Sequence, residues 1–263
     1  MIALTCIVKN RAWILPDYLA CLLALDFPKD ELTLIFIDDA STDGTIDILK
    51  AFKRKHEVEF AGITLNLHKK GIDDATSARD TADRVKGYPH LAELRNEALD
   101  AANASGADYQ FSVDSDILLS PGILSELMAH NLPYVASMIF NDGKHPFTAN
   151  LGRVTNAGGL HNGMWRYMQV NSINQDRVLP CGYSGAVYLV NRDAMNSGAR
   201  FGGENPDEKH NCEDYSYCWA LQIAEIDRYI DTKIRCVHVM MEGHLPAAKG
   251  FFFAQFEKWP FGV

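Results

Sequence analysis

The stretch Phe111–Gly122, FSVDSDILLSPG, decides how the chain is read, because an apolar, strand-like run ends there in two aspartates, Asp114 and Asp116, on either side of Ser115. Two anions so close repel each other unless a cation or a hydrogen-bond network neutralises them, so a buried strand gains nothing from them. Something positive is expected beside them. An ordinary surface turn is the plain alternative, and the apolar run before the pair argues against it. Upstream, HLAELRNEALDAANAS has helical spacing and stops at Gly106, which places DYQFSVDSD on a strand with the aspartates at its carboxyl end. Ligands of open α/β sheets bind outside that end.

Working toward the N-terminus, IALTCIV is a continuous apolar run, LPDYLACLLAL carries apolar residues at helical spacing, and LTLIFID is again strand-like before the turn-rich DDASTDGT. That order predicts βαβ and a parallel sheet. A helix is expected in TIDILKAFKRK after Gly44, with Asp43 or Thr45 as its cap, and a weaker strand in GITLNLH. Toward the C-terminus, LPYVASMIF reads as a buried strand and the region from Asn141 to Pro180 as a hairpin-like, loop-rich insertion. GYSGAVYLVNRDAM returns to strand and helix. CEDYSYCWALQIAEI follows as a helix whose stripe of Tyr215, Trp219 and Ile223 suggests core packing. KIRCVHVM is a last strand. FFFAQFEKWPF, at the end, is apolar enough to dock on the core or to meet a partner or membrane surface.

The fold class expected is α/β, a mostly parallel central sheet flanked by helices, with a smaller antiparallel or loop-rich part. One domain, 1–263, is expected, divided into halves 1–140 and 141–245 and a tail 246–263. The 263 residues suffice for a real core, and 47% hydrophobic with 22% charged residues suits a globular protein. Asp and Glu number 34 against 25 Lys and Arg, and the net charge of -9 argues against nucleic acid or an anionic membrane as the main partner. No apolar run reaches the ~18 residues that span a bilayer, and MIALTCIVKNR lacks the charged head of a secretory signal. The six cysteines form no CxxC pair, as expected of reduced, buried thiols in a cytoplasmic protein.

Two hard carboxylates at a strand end suit Mn²⁺ or Mg²⁺, with the other positions left to water and phosphate oxygens. Alone, DxD is a weak signal. In the order CIVKNR, IFIDDASTDGT, LRNEAL, DSD, CGYSGAVYL and CEDYSYC, the chain resembles nucleotide-sugar glycosyltransferases of the GT-A (Rossmann-like) fold, nearest to the family 2 type, from Leu4 to about His238. The segment ADRVKGYPHLAELRNEAL also resembles the Anp1-type mannosyltransferases, which retain anomeric configuration.

The resemblance implies a nucleotide-sugar donor, UDP-linked, and a hydroxyl acceptor. It makes 1–140 the donor-binding half and 141–245 the acceptor side. Asp39, with Asp38, would meet the uracil and ribose, since carboxylates accept from an imide N–H and from sugar hydroxyls; an Asx turn that caps the next helix is the alternative for Asp38 and, less so, for Asp39. Asp43 is read as structural. Asp114 and Ser115 would lie near the ribose, and Asp114 and Asp116 would hold the metal that bridges the diphosphate. Arg95 would approach the nucleotide, unless it is a solvated helix arginine paired with Glu93 or Asp100. Asp214 is implied as the general base of an inverting reaction, with Glu213 orienting the acceptor or supporting the loop; dipole stabilisation alone would also favour acids in a first helical turn. His238 is implied as a third metal ligand, with His244 competing. Gly182, Ser184 and Gly185 would bring backbone amides to the sugar or acceptor.

Arg79 and Arg84, in the long polar segment 69–89, are candidates for phosphate contact. The QxxRW motif of processive synthases is absent. Three other readings stand beside the inverting transferase. A retaining, Anp1-like transferase keeps the fold. A nucleotidyltransferase should carry a glycine-rich basic loop, which CIVKNRAW lacks. A binding module without activity would not need the full acidic set.

Overall fold

The structure, a computed structural model, describes residues 1–71, 84–141, 148–152, 167–169, 178–203 and 212–255. β1 (Ile2–Val8) is buried at every position but Ile7, as an unbroken apolar run requires when both faces of a strand are covered. α1 (Leu15–Leu23) begins with Pro16 in its first turn, where a missing N–H costs nothing. β2 (Leu32–Asp38) lies parallel to β1, Val8 opposite Asp38. α2 (Thr45–His56) buries Thr45, Leu49, Phe52 and His56 at helical spacing and gathers Lys53, Arg54, Lys55 and His56 in its last turn, matching the dipole. β3 (Gly62–Leu67) pairs in parallel with β2.

α3 (Arg84–Ala104) starts ahead of the expected HLAELR stretch and carries Pro89 inside it. Its end is marked by Gly106 at φ 74, the left-handed conformation a glycine supplies cheaply. β4 (Tyr109–Val113) joins the other side of β1 in parallel. Next come β5 (Ile117–Leu118), α4 (Ile123–Met128), β6 (Tyr134–Asn141), β7 (Thr148–Gly152), β8 (Tyr167–Gln169), β9 (Val178–Pro180) and β10 (Tyr183–Ser184). β11 (Val187–Asn191), α5 (Arg192–Met195), α6 (Glu213–Ile223), β12 (Tyr229–His238) and α7 (Leu245–Gln255) complete the described elements. The first part of the apolar C-terminal stretch is thus helical; residues from 256 on lie outside the described residues, as does Arg79.

Among the described residues the strands form one sheet in the order β10-β7-β6-β11-β4-β1-β2-β3, with β12 against β5, β6 and β9. β4-β1-β2-β3 is parallel, and β11 enters antiparallel between β4 and β6. The α/β class is as expected, with the antiparallel part beginning at β11. Alternation along β1 separates two cores. Ile2, Leu4, Cys6 and Val8 face the layer of α1, α2 and α4, while Ala3 faces Leu99 of α3, Ala194 of α5 and Tyr215 of α6, as the period of two demands. Each buried Leu or Ile contributes about 1.5–3 kcal/mol.

The aromatic stripe expected on α6 is corrected. Its buried arc runs through Tyr215, Cys218 and Leu221, so Ile223, at the far side of the last turn, is 68% exposed. The cysteines are free thiols, and burial pushes Cys218 up to about 11 and Cys21 and Cys236 to about 12.

Candidate functional site

β1, β2 and β4 run in one direction, so Val8, Asp38 and Val113 end at a common edge. β12 reaches the same place by a different route: His238 pairs with Ile117, and the Val239 amide donates to the Asp116 carbonyl at 2.8 Å. Three non-glycine residues with left-handed backbone lie here, Asn10 (φ 48), Ala40 (φ 52) and Ala186 (φ 65). Such conformations persist where surrounding bonds over-determine them, and they gather at functional sites.

The bonds that impose them are visible. The Asn10 amide donates to Ser41 Oγ at 2.9 Å, the Arg11 amide to Thr45 Oγ1 at 2.8 Å, and the Ala12 amide to Asp43 Oδ2 at 3.0 Å. In return the Thr42 amide donates to Asn10 Oδ1 at 2.8 Å. The STD of DDASTDGT therefore staples the loop after β1 to the loop after β2. Burial pushes the Asp43 carboxyl up, but the Thr45 hydroxyl and the amides of Thr45 and Ala12 outweigh it and hold the group below the usual range. On the other side, the Val187 amide donates to the Gly185 carbonyl at 2.8 Å, closing a tight turn at Ala186. The Ala186 carbonyl in turn accepts from the Asp114 amide at 2.8 Å.

The positive charge anticipated beside Asp114 and Asp116 comes from the chain itself. Arg95 Nη2 lies 2.6 Å from Asp114 Oδ1. Arg11 Nη2 lies 3.2 Å from Asp116 Oδ2, and His238 Nε2 lies 3.0 Å from Asp116 Oδ1. Asp39 is held likewise, with His90 Nε2 at 2.7 Å and Lys9 Nζ at 3.4 Å. Gly71 lies against it: a Cβ there would come within 2.6 Å of the Asp39 carboxylate. Asp38 is fully buried and closes the turn through the Ser41 amide at 3.0 Å, its Oδ1 without a partner among the described residues. Asp38 therefore makes the Asx-type turn, and Asp39 is the carboxylate that meets the cations.

Arg95 is buried and does not pair with Glu93 or Asp100; Asp100 binds Arg200 instead. Burial works against the Arg95 charge, but Asp114, and then Asp214, raise its pKa well above the ordinary value. Asp214 opens α6 beside Glu213, and any side chain at Gly185 would overlap its carboxylate. The gap at Gly185 is thus filled by Asp214. Gly182 and Ser184 are buried, and the Ser184 carbonyl accepts from Tyr134 Oη at 2.5 Å. Burial, then the neighbouring Asp214, raise the Glu213 carboxyl well above the carboxylate range. Ser115 is buried in the turn between the two aspartates.

Of the three expected ligands, two lie together. Asp116 and His238 converge, while Asp114 turns to Arg95, and among the described residues no group of three or more acidic, histidine or cysteine side chains surrounds one point. A carboxylate oxygen and an imidazole nitrogen 3.0 Å apart suit two neighbouring positions of an octahedral ion, which with bonds of ~2.1 Å at right angles lie about 3 Å apart. The pair fits Mn²⁺ or Mg²⁺ completed by phosphate and water. Lys9, Arg11 and His90 were missed by sequence reasoning. The signal available was two basic residues flanking Asn10 directly after the first strand.

A sequence model described as the N-terminal domain of glycosyltransferase family 25 matches residues 1–242. A glycosyltransferase 25 family member of Aedes aegypti is 33% identical over 143 residues, which are 52% of this chain and 23% of that protein. Procollagen galactosyltransferase 2 of Homo sapiens is 28% identical over 147 residues, 52% of this chain and 22% of that protein. The chain therefore matches less than a quarter of the length of these curated relatives. Among solved structures, GalNAc-T7 with UDP, GalNAc and Mn²⁺ superposes with a TM-score of 0.61 at 9% identity, covering 90% of this chain and 43% of that one, a likeness of fold.

Proposed function

The chain belongs to glycosyltransferase family 25, and from that premise we propose that it moves a hexose from a UDP-linked donor to a hydroxyl acceptor with inversion at the anomeric carbon. Galactose is the sugar proposed, from the name of the human relative. The observation that carries the reading is one edge of the sheet holding both a metal-competent pair, Asp116 and His238 at 3.0 Å, and a carboxylate, Asp214, seated on Gly185.

Asp39 accepts from the uracil imide N–H while Lys9, 3.4 Å from it, donates to a ring carbonyl. Asp116 and His238 would hold the divalent ion, which supplies positive charge to the diphosphate as it departs. Arg95 holds Asp114 in place from below. Asp214 takes the proton of the acceptor hydroxyl as its oxygen bonds to the anomeric carbon; the bond from that carbon to the diphosphate oxygen breaks, and its electron pair leaves with UDP. The raised Glu213 carboxyl favours its neutral form beside Asp214.

Incubation with UDP-galactose and Mn²⁺ is expected to release UDP, and Asp116→Asn to slow release by about 10²–10³-fold. NMR of the product should show a β-galactoside from the α-linked donor. An α-linked product would remove Asp214 as the base of inversion and favour the retaining reading. If no UDP-sugar is bound or cleaved, the proposal falls.

A further inference from the structure

Arg11 sits where a ligand cation is expected. Its Nη2 is on Asp116 Oδ2 at 3.2 Å, while the other oxygen of that carboxylate faces His238 at 3.0 Å. Its Nη1 donates to the carbonyls of Lys9 at 2.9 Å and Asn10 at 3.3 Å. Among the described residues the buried Nε–H has no partner. A guanidinium presents Nε and Nη2 together as a fork that matches two oxygens of one oxyanion. Here half of that fork is used, by a single carboxylate oxygen. The main chain beneath is preset by the staples from Ser41, Thr45 and Asp43, and the side chain is 27% exposed, so the head can turn while its base stays.

Resting on the nucleotide-sugar reading above, we propose that Arg11 is a displaceable counter-ion that occupies Asp116 until a divalent ion takes that carboxylate, and then gives its fork to the donor diphosphate. An ion bound at Asp116 and His238 with Arg11 still in place would lie against a second positive charge. A diphosphate removes the conflict by accepting from Arg11 and neutralising both cations. Ion and nucleotide therefore strengthen each other's binding, and by linkage the factor is the same in either direction.

The test uses Mn²⁺ alone, UDP alone and the two together, on wild type, Arg11→Gln and Arg11→Lys. Free Mn²⁺ is read by electron paramagnetic resonance and UDP by calorimetry. In the wild type each ligand is expected to tighten the other by about tenfold, within the usual span of coupling between sites. Arg11→Gln should bind Mn²⁺ alone about tenfold more tightly, because its competitor is gone, and UDP alone about tenfold more weakly, with the coupling largely lost. A residue that merely supports the fold would weaken both. Arg11→Lys keeps the charge without the fork: Mn²⁺ binding should stay within about twofold of wild type while UDP binding weakens. Where Arg11→Gln does not fold, unchanged UDP binding by Arg11→Lys overturns the proposal. So does Arg11→Gln with Mn²⁺ binding unchanged or weaker. A wild type that couples Mn²⁺ to UDP beside such a variant leaves the transferase reading standing; a wild type that binds neither ligand removes both.

Discussion

At the end of β4, Asp114 and Asp116 each face a guanidinium, Arg95 at 2.6 Å and Arg11 at 3.2 Å. At the start of α6, Glu213 and Asp214 lie side by side, and burial, then Asp214, raise the Glu213 carboxyl above the carboxylate range. Both are acidic pairs on one edge, only a buried arginine apart, since Arg95 feels Asp114 and Asp214 together. The first pair is matched to cations, each carboxylate by its own guanidinium. In the second, burial and the neighbouring anion raise the Glu213 carboxyl, which favours its neutral form. On the proposed reading, cation chemistry and proton chemistry are separated by surroundings rather than by residue type.

The largest effect should come from breaking the proton side alone. Asp214→Asn keeps the shape that fills Gly185 but removes the proposed base. kcat is expected to fall by about 10³-fold, within the range for general bases, while Mn²⁺ and UDP affinities stay within about twofold. Steady-state kinetics beside calorimetry checks this. A parallel loss of UDP binding would place Asp214 in the donor site and erase the distinction.

Breaking the cation side tests stability first. Asp114→Ala leaves Arg95, 5% exposed, without its nearest anion, and stranding one member of a buried pair costs about 3–5 kcal/mol. The partial exposure of Asp114, 26%, puts the expected loss near the lower end, about 3 kcal/mol, measured by urea unfolding. A double variant that adds Arg95→Met should recover part of it. If it does not, the pair is no unit.

The contrast also explains what could be read in the sequence. β1 and β2 were legible as the continuous apolar runs that strands covered on both faces require, β4 from Tyr109, Phe111 and Val113 after the stop at Gly106, and Asp38, Asp39, Asp114 and Asp116 from where those strands end. The meeting of Asp116 with His238 depends on the two-residue strand β5 pairing with β12, too short to leave a periodic signal. Asp39 and His90 are 51 positions apart, and Arg11 and Asp116 are 105 apart; no local pattern encodes such pairings. The face of α6 misled because Trp219 and Ile223 are apolar at helical spacing, yet the sheet and α3 meet the side that carries Cys218 and Leu221.

The smallest expected effect is the most direct reading of the second pair. Glu213 has a folded-state pKa raised above its unfolded value, by burial first and Asp214 second. The stability its neutral form contributes is therefore complete below the ordinary carboxylate range and is lost as pH rises through the raised value. Glu213→Gln mimics the protonated form and should be flat over the same window: close to wild type at pH 5 and more stable than it by pH 8, as followed by urea unfolding at each pH. Its kcat should change little at low pH, because the proton it replaces is one that Glu213 already keeps. A wild type that instead gains stability relative to Glu213→Gln as pH rises would mean that Glu213 is ionised and paired. The two acidic pairs would then be two cation sites, and Asp214 would have to share its role as base.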